Sequence, residues 1–191
     1  MDGLSNQPYT PDLRGFIEYL DKEHPEEIIR ISKEVDPKFG VTGILARLEK
    51  DGHFQAVIFE NVKGSDMPLV ANMHGDFSRL RYAIGMEEGD EKTFLREYAA
   101  LEANPIPPVE ATEAPVQEVV KTGDDINVEE LPICTYHELD SGKFITAGLG
   151  LMRDPDTGID NIGIYRHMVH SKNELGVQLS ETADGNVIWK K

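Results

Sequence analysis

Residues 144–172 read FITAGLGLMRDPDTGIDNIGIYRHMVHSK, two strand-length runs on either side of Asp154-Pro155-Asp156-Thr157-Gly158. Aspartate, proline and a closing glycine are the residues of a tight reversal, so the stretch predicts a β-hairpin. Side chains alternate along a strand. The second run therefore places Asn161, Gly163, Tyr165 and His167 on one face and Ile162, Ile164, Arg166 and Met168 on the other. Arg166 shares a face with apolar residues, a costly position unless an anion or carbonyl partners meet it. The bland alternative is a snorkelling or salt-bridged arginine. His167 and His170 fall on opposite faces and cannot chelate one ion together.

Working outward, residues 116–121 and 175–180 also read as strands, so the C-terminal half begins as an antiparallel sheet or barrel. Residues 186–191, with Val187, Ile188 and Trp189, open a new element with nothing after it. An edge left open there points to a truncated chain or a stable fragment. The N-terminal half alternates instead. Leu13, Phe16, Ile17 and Leu20 mark one face of a helix over residues 11–20, with Thr10 as the expected N-cap and Pro11 at its first position. A strand over 28–32, a helix through Val41, Ile44, Leu45 and Leu48 that stops at Asp51-Gly52, and strands over 56–60 and 68–71 follow. Helices over 78–84 and 91–101 complete an α/β unit. Pro105, Pro107, Pro108 and Pro115 then bar regular helix. The domain reading is 1–103, an α/β domain; 104–118, a proline-rich linker; and 119–191, the first part of a β domain.

Composition narrows the class. Hydrophobic residues at 39% and charged residues at 28% are ordinary for a globular chain. A net charge of −16 opposes binding to nucleic acid, whose affinity comes from neutralised phosphates. Residues 1–10 do not resemble a signal peptide, and no apolar run is long enough to cross a bilayer, so the expected location is the cytoplasm and no membrane partner is expected. The single cysteine, Cys134, excludes an internal disulfide and reads as a small buried apolar group.

The order Thr146-Ala-Gly, an Asp-Pro-Asp-Thr-Gly turn, Asn161-Ile-Gly-Ile-Tyr-Arg166 and Met168-Val-His170 resembles the cofactor-binding hairpin of UbiD-type decarboxylases. Ile31-Ser-Lys-Glu-Val-Asp36, Phe59-Glu-Asn-Val-Lys-Gly64 and Glu130-Leu-Pro132 resemble the family's N-terminal segments in their usual order. The likeness implies an α+β protein, an N-terminal α/β domain followed by the start of a split β-barrel that binds flavin. It implies prenylated FMN with Mn²⁺, and K⁺ as a further candidate. Asn161 would supply a carboxamide oxygen to the metal, which suits a hard cation. Thr146, Ile162, Gly163, Ile164 and Arg166 would line the cofactor. Arg166 would be the catalytic arginine, its planar fork suited to a substrate carboxylate. The implied activity is that of a carboxy-lyase, decarboxylation or reversible carboxylation of an aromatic or α,β-unsaturated acid. The full-length protein is expected to be a homo-oligomer and the fragment a monomer.

Two departures stand against the likeness. The family has a metal-ligand histidine near the position of Asn186, and no histidine follows His170. The family's metal-binding and catalytic glutamates lie further downstream than residue 191, so the chain alone is expected to be inactive. A second reading is therefore a non-catalytic subunit or pseudoenzyme domain of the same fold.

Overall fold

Helix α1 (Leu13–Glu23) opens the described part of the protein; the computed structural model describes residues 8–107, 110, 112 and 114–191. The expected cap is corrected. Asp12, rather than Thr10, is the N-cap, its carboxylate accepting the Gly15 N–H at 2.8 Å. A charged oxygen at that position satisfies an otherwise orphaned amide and meets the positive end of the helix dipole. The Thr10 carbonyl lies so close to Gly15 that any Cβ there would collide with it. Pro11 consequently precedes the helix.

The other elements follow the predicted alternation closely. Strand β1 (Ile28–Ile31), helix α2 (Gly40–Lys50), strands β2 (Ala56–Phe59) and β3 (Leu69–Ala71), and helices α3 (Phe77–Ala83) and α4 (Glu91–Ala103) come in that order. Strand β2 is the middle strand, parallel to β1 and antiparallel to β3, and all four of its residues are buried. A strand covered on both faces should be continuously apolar, as Ala-Val-Ile-Phe is. The chain divides into two units, the first comprising residues 1–34, 45–60 and 68–120 and the second residues 35–44, 61–67 and 121–191.

The first unit holds an aromatic cluster of Phe16, Tyr19, Leu20 and Tyr82, packed by Tyr9, Ile28 and Met73. Among the described residues it also buries one cation. Arg79 is 1% exposed and pairs with Glu27 at 2.5 Å. Its remaining donors reach the carbonyls of Met73 (3.0 Å), Phe54 (2.5 Å) and Asn72 (3.2 Å). Such saturation is what makes a buried guanidinium tolerable.

In the second unit Val35, Val41, Val62, Ile133 and Cys134 are buried, and Val35 bridges Val62. The hairpin forms as predicted: β4 (Phe144–Arg153) pairs antiparallel with β5 (Asp160–Ser171), and β6 (Glu174–Val177) lies on the other side of β5. The Asp154 side chain accepts the Asp156 N–H at 2.9 Å, and Gly158 closes the turn at φ +72°. Helix α5 (Asp184–Trp189) follows.

Two strand expectations are corrected. Residues 116–121 contain no strand: a 3-10 turn spans Pro115–Gln117, and Val116, Val119 and Val120 are 70% or more exposed. Their β propensity finds no partner chain, and propensity without packing does not make a strand. Beyond Val177, β6 has ended, so the predicted 175–180 strand is shortened at its C-terminal end. Linker residues 108, 109, 111 and 113 lie outside the described residues. Among the described residues the result is a mixed α+β fold with two three-stranded sheets, of which the second shows three strands of the expected barrel.

Candidate functional site

Glycines decide which face of the hairpin is covered. Tyr165 lies over Gly150 and Gly163, where a Cβ would come within 2.7 Å and 2.6 Å of its side chain. Gly185 of α5 also sits against the Tyr165 hydroxyl, which a Cβ there would strike. His167 lies over Gly148 in the same way, 2.7 Å from where a Cβ would stand. Glycine inside a strand marks just such a close approach. The inner face is thus the one bearing Asn161, Gly163, Tyr165 and His167.

The opposite face is open. Leu149 pairs with Ile164 and Leu151 with Ile162 across the two strands, and all four are 65–73% exposed. Arg166 lies on this face, so its guanidinium has not been taken out of water, and the desolvation cost expected for it does not arise. The salt-bridge alternative does not arise either: among the described residues no carboxylate pairs with Arg166. Its guanidinium lies over the Phe144 ring, 6.0 Å from the centroid.

Arg166 and Phe144 stand between two cavities. One, of about 340 Å³, is lined by Tyr136, Leu139, Asp140, Phe144, Thr146 and Arg166. Thr146 Oγ1 is hydrogen-bonded to the Tyr136 hydroxyl at 2.9 Å. Burial pushes the Tyr136 phenol above its ordinary pKa. Its loop is held by Asp140, which accepts the N–H groups of Tyr136 (3.2 Å) and His137 (2.8 Å), and Thr42 Oγ1 donates to the Tyr136 carbonyl at 2.9 Å. The other cavity, of about 310 Å³, is lined by Phe144, Arg166, Met168, His170, Val177 and Gln178. Tyr136 was not singled out from the sequence. It lies in irregular chain with no periodicity, and the only cue nearby is the Asp140-Ser141-Gly142 turn.

Asn161 does not face Arg166. Five residues apart on a regular strand, the two point to opposite sides of the sheet. The Asn161 Oδ1 atom is buried and has no hydrogen-bond partner. A buried amide oxygen left unpaired is costly and asks for a donor or a cation. Asn186 is 7% exposed, donates from Nδ2 to the Leu179 carbonyl at 3.1 Å, and likewise leaves Oδ1 unpaired. The two carboxamide oxygens fit a hard cation in kind. Among the described residues no group of three or more histidine, cysteine or acidic side chains gathers to complete a metal site. Ile162, Gly163 and Ile164 lie between Asn161 and Arg166, with their backbone in the β4–β5 ladder.

The first unit carries a separate polar cluster that sequence reading missed. The Tyr19 hydroxyl donates to Glu87, whose other oxygen lies 3.1 Å from His24 Nε2, and the His24 ring stacks on Tyr82 at 4.0 Å. Burial, then the Glu87 hydrogen bond, raises the Tyr19 pKa. The cluster borders a cavity of about 900 Å³. Its members satisfy one another, which makes it a clamp on the end of α1.

Fold and site together define a two-unit α+β protein whose antiparallel sheet presents an arginine, without an ion-pair partner among the described residues, beside an open apolar face. Two family models match it: the 3-octaprenyl-4-hydroxybenzoate carboxy-lyase N-terminal domain over residues 20–101, and the Rift-related domain of the same enzymes over residues 108–191. The chain belongs to the UbiD family, as an N-terminal portion. An uncharacterised protein of Aquifex aeolicus is 35% identical over 199 aligned positions, 94% of this chain and 40% of its own length. An evolved dimeric form of the UbiD-class enzyme HmfF from Pelotomaculum thermopropionicum, solved with prFMN, superposes with TM-score 0.82 at 30% identity, covering 95% of this chain and 41% of that one. Vanillic acid decarboxylase of Sedimentibacter hydroxybenzoicus in its closed form gives 0.84 at 29%, covering 95% and 40%. The chain thus spans about 40% of the length of the relatives it matches. No helix among the described residues is long and apolar enough to cross a membrane.

Proposed function

We propose that this chain supplies the N-terminal domain and the first cofactor-facing strands of a carboxy-lyase that uses prenylated FMN on aromatic or α,β-unsaturated acids, with the domain division 1–103, 104–118 and 119–191. The observation that carries the reading is Arg166, a guanidinium with no ion-pair partner among the described residues, at the junction of two cavities and on the face that also carries the exposed Leu149, Leu151, Ile162 and Ile164. A flat aromatic anion asks for that combination: apolar surface under the ring and a planar fork for the carboxylate. Prenylated FMN, when bound, supplies the electron sink for the charge left as CO₂ departs.

The chain's own residues would then bind and orient. Arg166 would hold the carboxylate by two parallel N–H···O bonds, fixing the angle of the bond to be broken. Thr146, its hydroxyl held by Tyr136, would contribute a fixed polar group beside it. Asn161, with Asn186, would offer oxygen to a divalent cation such as Mn²⁺ that neutralises the cofactor phosphate; with the donor set this sparse, no step is assigned to the metal. The second reading, a non-catalytic subunit of the same fold, draws its support from the same sparse set.

An FMN titration with and without Mn²⁺, on the parent and on Asn161→Leu, tests the reading. We expect a Kd no tighter than about 1 μM for the chain alone, since the solved relatives are more than twice its length. Mn²⁺ should tighten it in the parent and not in the variant. Flavin binding that is absent from the parent, or indifferent to Asn161, sinks the cofactor assignment.

A further inference from the structure

Strand β4 slips against β5 at one place. Ile145 faces His167 and Gly148 faces Tyr165, so Thr146 and Ala147 together stand opposite Arg166. Two residues against one make a β-bulge, a feature that re-aims side chains and is common beside functional sites. Phe144 and Thr146 keep the alternation that precedes the bulge, and both line the cavity of about 340 Å³ with Arg166. Beyond the bulge the strand has shifted by one residue, and Gly148 and Gly150 take the covered face. The extra residue thus lets one strand present a hydroxyl on the open face and glycines against Tyr165 and His167 on the other.

Among the described residues the Thr146 hydroxyl has one hydrogen-bond partner, the Tyr136 hydroxyl at 2.9 Å. The loop that carries Tyr136 is tied down from several directions. Thr135 N–H donates to the Pro37 carbonyl at 3.2 Å, and Phe39 N–H donates to the Thr135 carbonyl at 3.0 Å. Thr42 Oγ1 donates to the Tyr136 carbonyl at 2.9 Å, and Asp140 accepts the amides of Tyr136 and His137. Phe39 makes its bond from φ +68°, a left-handed conformation that a bulky side chain keeps only where its surroundings impose it. A loop that merely connects two elements needs neither the strained residue nor so many anchors.

Two hydroxyls that face each other carry two hydrogens and use one of them between their oxygens. A phenol is more acidic than an alcohol and is the better donor, and burial keeps this one protonated by raising its pKa. With the phenol donating to Thr146 Oγ1, the Thr146 hydrogen is left over for the cavity. We propose that Tyr136 is a positioning residue for the cofactor, holding Thr146 Oγ1 so that its remaining O–H is offered to an acceptor atom of the flavin, and that Thr42 acts with it by fixing its backbone. The proposal rests on the cofactor reading given under Proposed function. It adds to that reading two residues that act through Thr146 rather than by touching the flavin.

The probe is FMN, its dissociation constant measured by fluorescence quenching and Tm taken on the same samples. The proteins are the parent, Thr146→Val, Thr146→Ser, Tyr136→Phe, Thr42→Val, and Tyr136→Phe combined with Thr146→Val. Thr146→Val should weaken FMN about three- to tenfold, the worth of one hydrogen bond, and Thr146→Ser should stay within about twofold of the parent. Tyr136→Phe keeps the ring and should still weaken FMN about two- to fivefold, while the double variant binds no worse than Thr146→Val alone, because Tyr136 acts only through that hydroxyl. Thr42→Val, outside the cavity lining, should weaken FMN in the same direction, which guards against a Tyr136 variant that fails to fold. A Tyr136→Phe protein that melts lower but keeps the parent's dissociation constant, losses that add in the double variant, or FMN binding indifferent to Thr146→Val overturns this proposal alone. A parent that does not bind FMN overturns it together with the cofactor reading.

Discussion

Replacing Arg166 by Lys should separate stability from function. Among the described residues the arginine makes no ion pair, and its guanidinium lies 6.0 Å from the centroid of the Phe144 ring. An exposed cation–π contact of that kind is worth about 0.5–1 kcal/mol at most, and lysine keeps part of it. We therefore expect a loss of no more than about 0.5 kcal/mol, or roughly 1–2 °C in Tm for a chain of this size. Function should respond differently. Lysine preserves the charge but replaces a planar five-donor fork with a point ammonium, so a carboxylate is held by one bond and can pivot. If carbon dioxide departs only along a narrow direction, that freedom should lower turnover of the assembled enzyme on the order of 10²-fold. The assay is decarboxylation rate and melting temperature on the same preparation. A lysine variant that keeps more than half the parent's rate refutes the catalytic assignment. A Tm fall of more than about 4 °C would show instead that Arg166 is a packing residue.

The opposite pattern is expected of Arg79→Met: removing one partner of a buried, hydrogen-bonded pair leaves Glu27 and three carbonyls uncompensated, at about 3–5 kcal/mol. Urea denaturation should report that loss and the melt a fall of about 6–20 °C, whereas a change below about 1 kcal/mol would contradict the buried-pair account. Acid should act through Asp36, Asp76, Asp90, Asp154 and Asp160, each held below the usual carboxylate range, Asp36 chiefly by the Lys38 amide and Asp154 chiefly by Lys191. A depressed folded pKa means stability that is complete above the unfolded value near about 3.9 and is lost as pH falls through the lower folded values. Tm should accordingly stay level from neutrality to about pH 5 and decline below it; a Tm that rises on acidification refutes the assignment.

Periodicity made the first unit legible because its helices are amphipathic and β2 is uniformly apolar, so the local pattern and the final burial agree. It failed over residues 116–121, where three valines promise a strand and Pro115 starts a 3-10 turn with no neighbouring strand to join. A strand is completed by its partner, which composition does not supply. The cap of α1 went to the residue whose side chain could reach the right amide, a matter of one or two positions that spacing does not resolve.

The site was legible in its residues and not in its orientation. Alternation correctly divides β5 into two faces, and the hydrophobic pattern then favours turning Ile162 and Ile164 inward. The structure turns them outward, because Tyr165 can lie flat only over Gly150 and Gly163, and Gly185 of α5 closes on it. A single large side chain matched to three glycines outweighs the preference of the isoleucines for the interior. The glycines were visible in the sequence as isolated interruptions of two strands, and each interruption is a statement that something approaches the backbone there. Taken in that sense, Gly148, Gly150 and Gly163 mark the covered face before any coordinates are known, and Gly176 marks the place on the other face where His170 lies. The open face left by that arrangement, aliphatic at one end and carrying Arg166, Phe144 and His170 at the other, owes its exposure to the same glycines that seat Tyr165 beneath it.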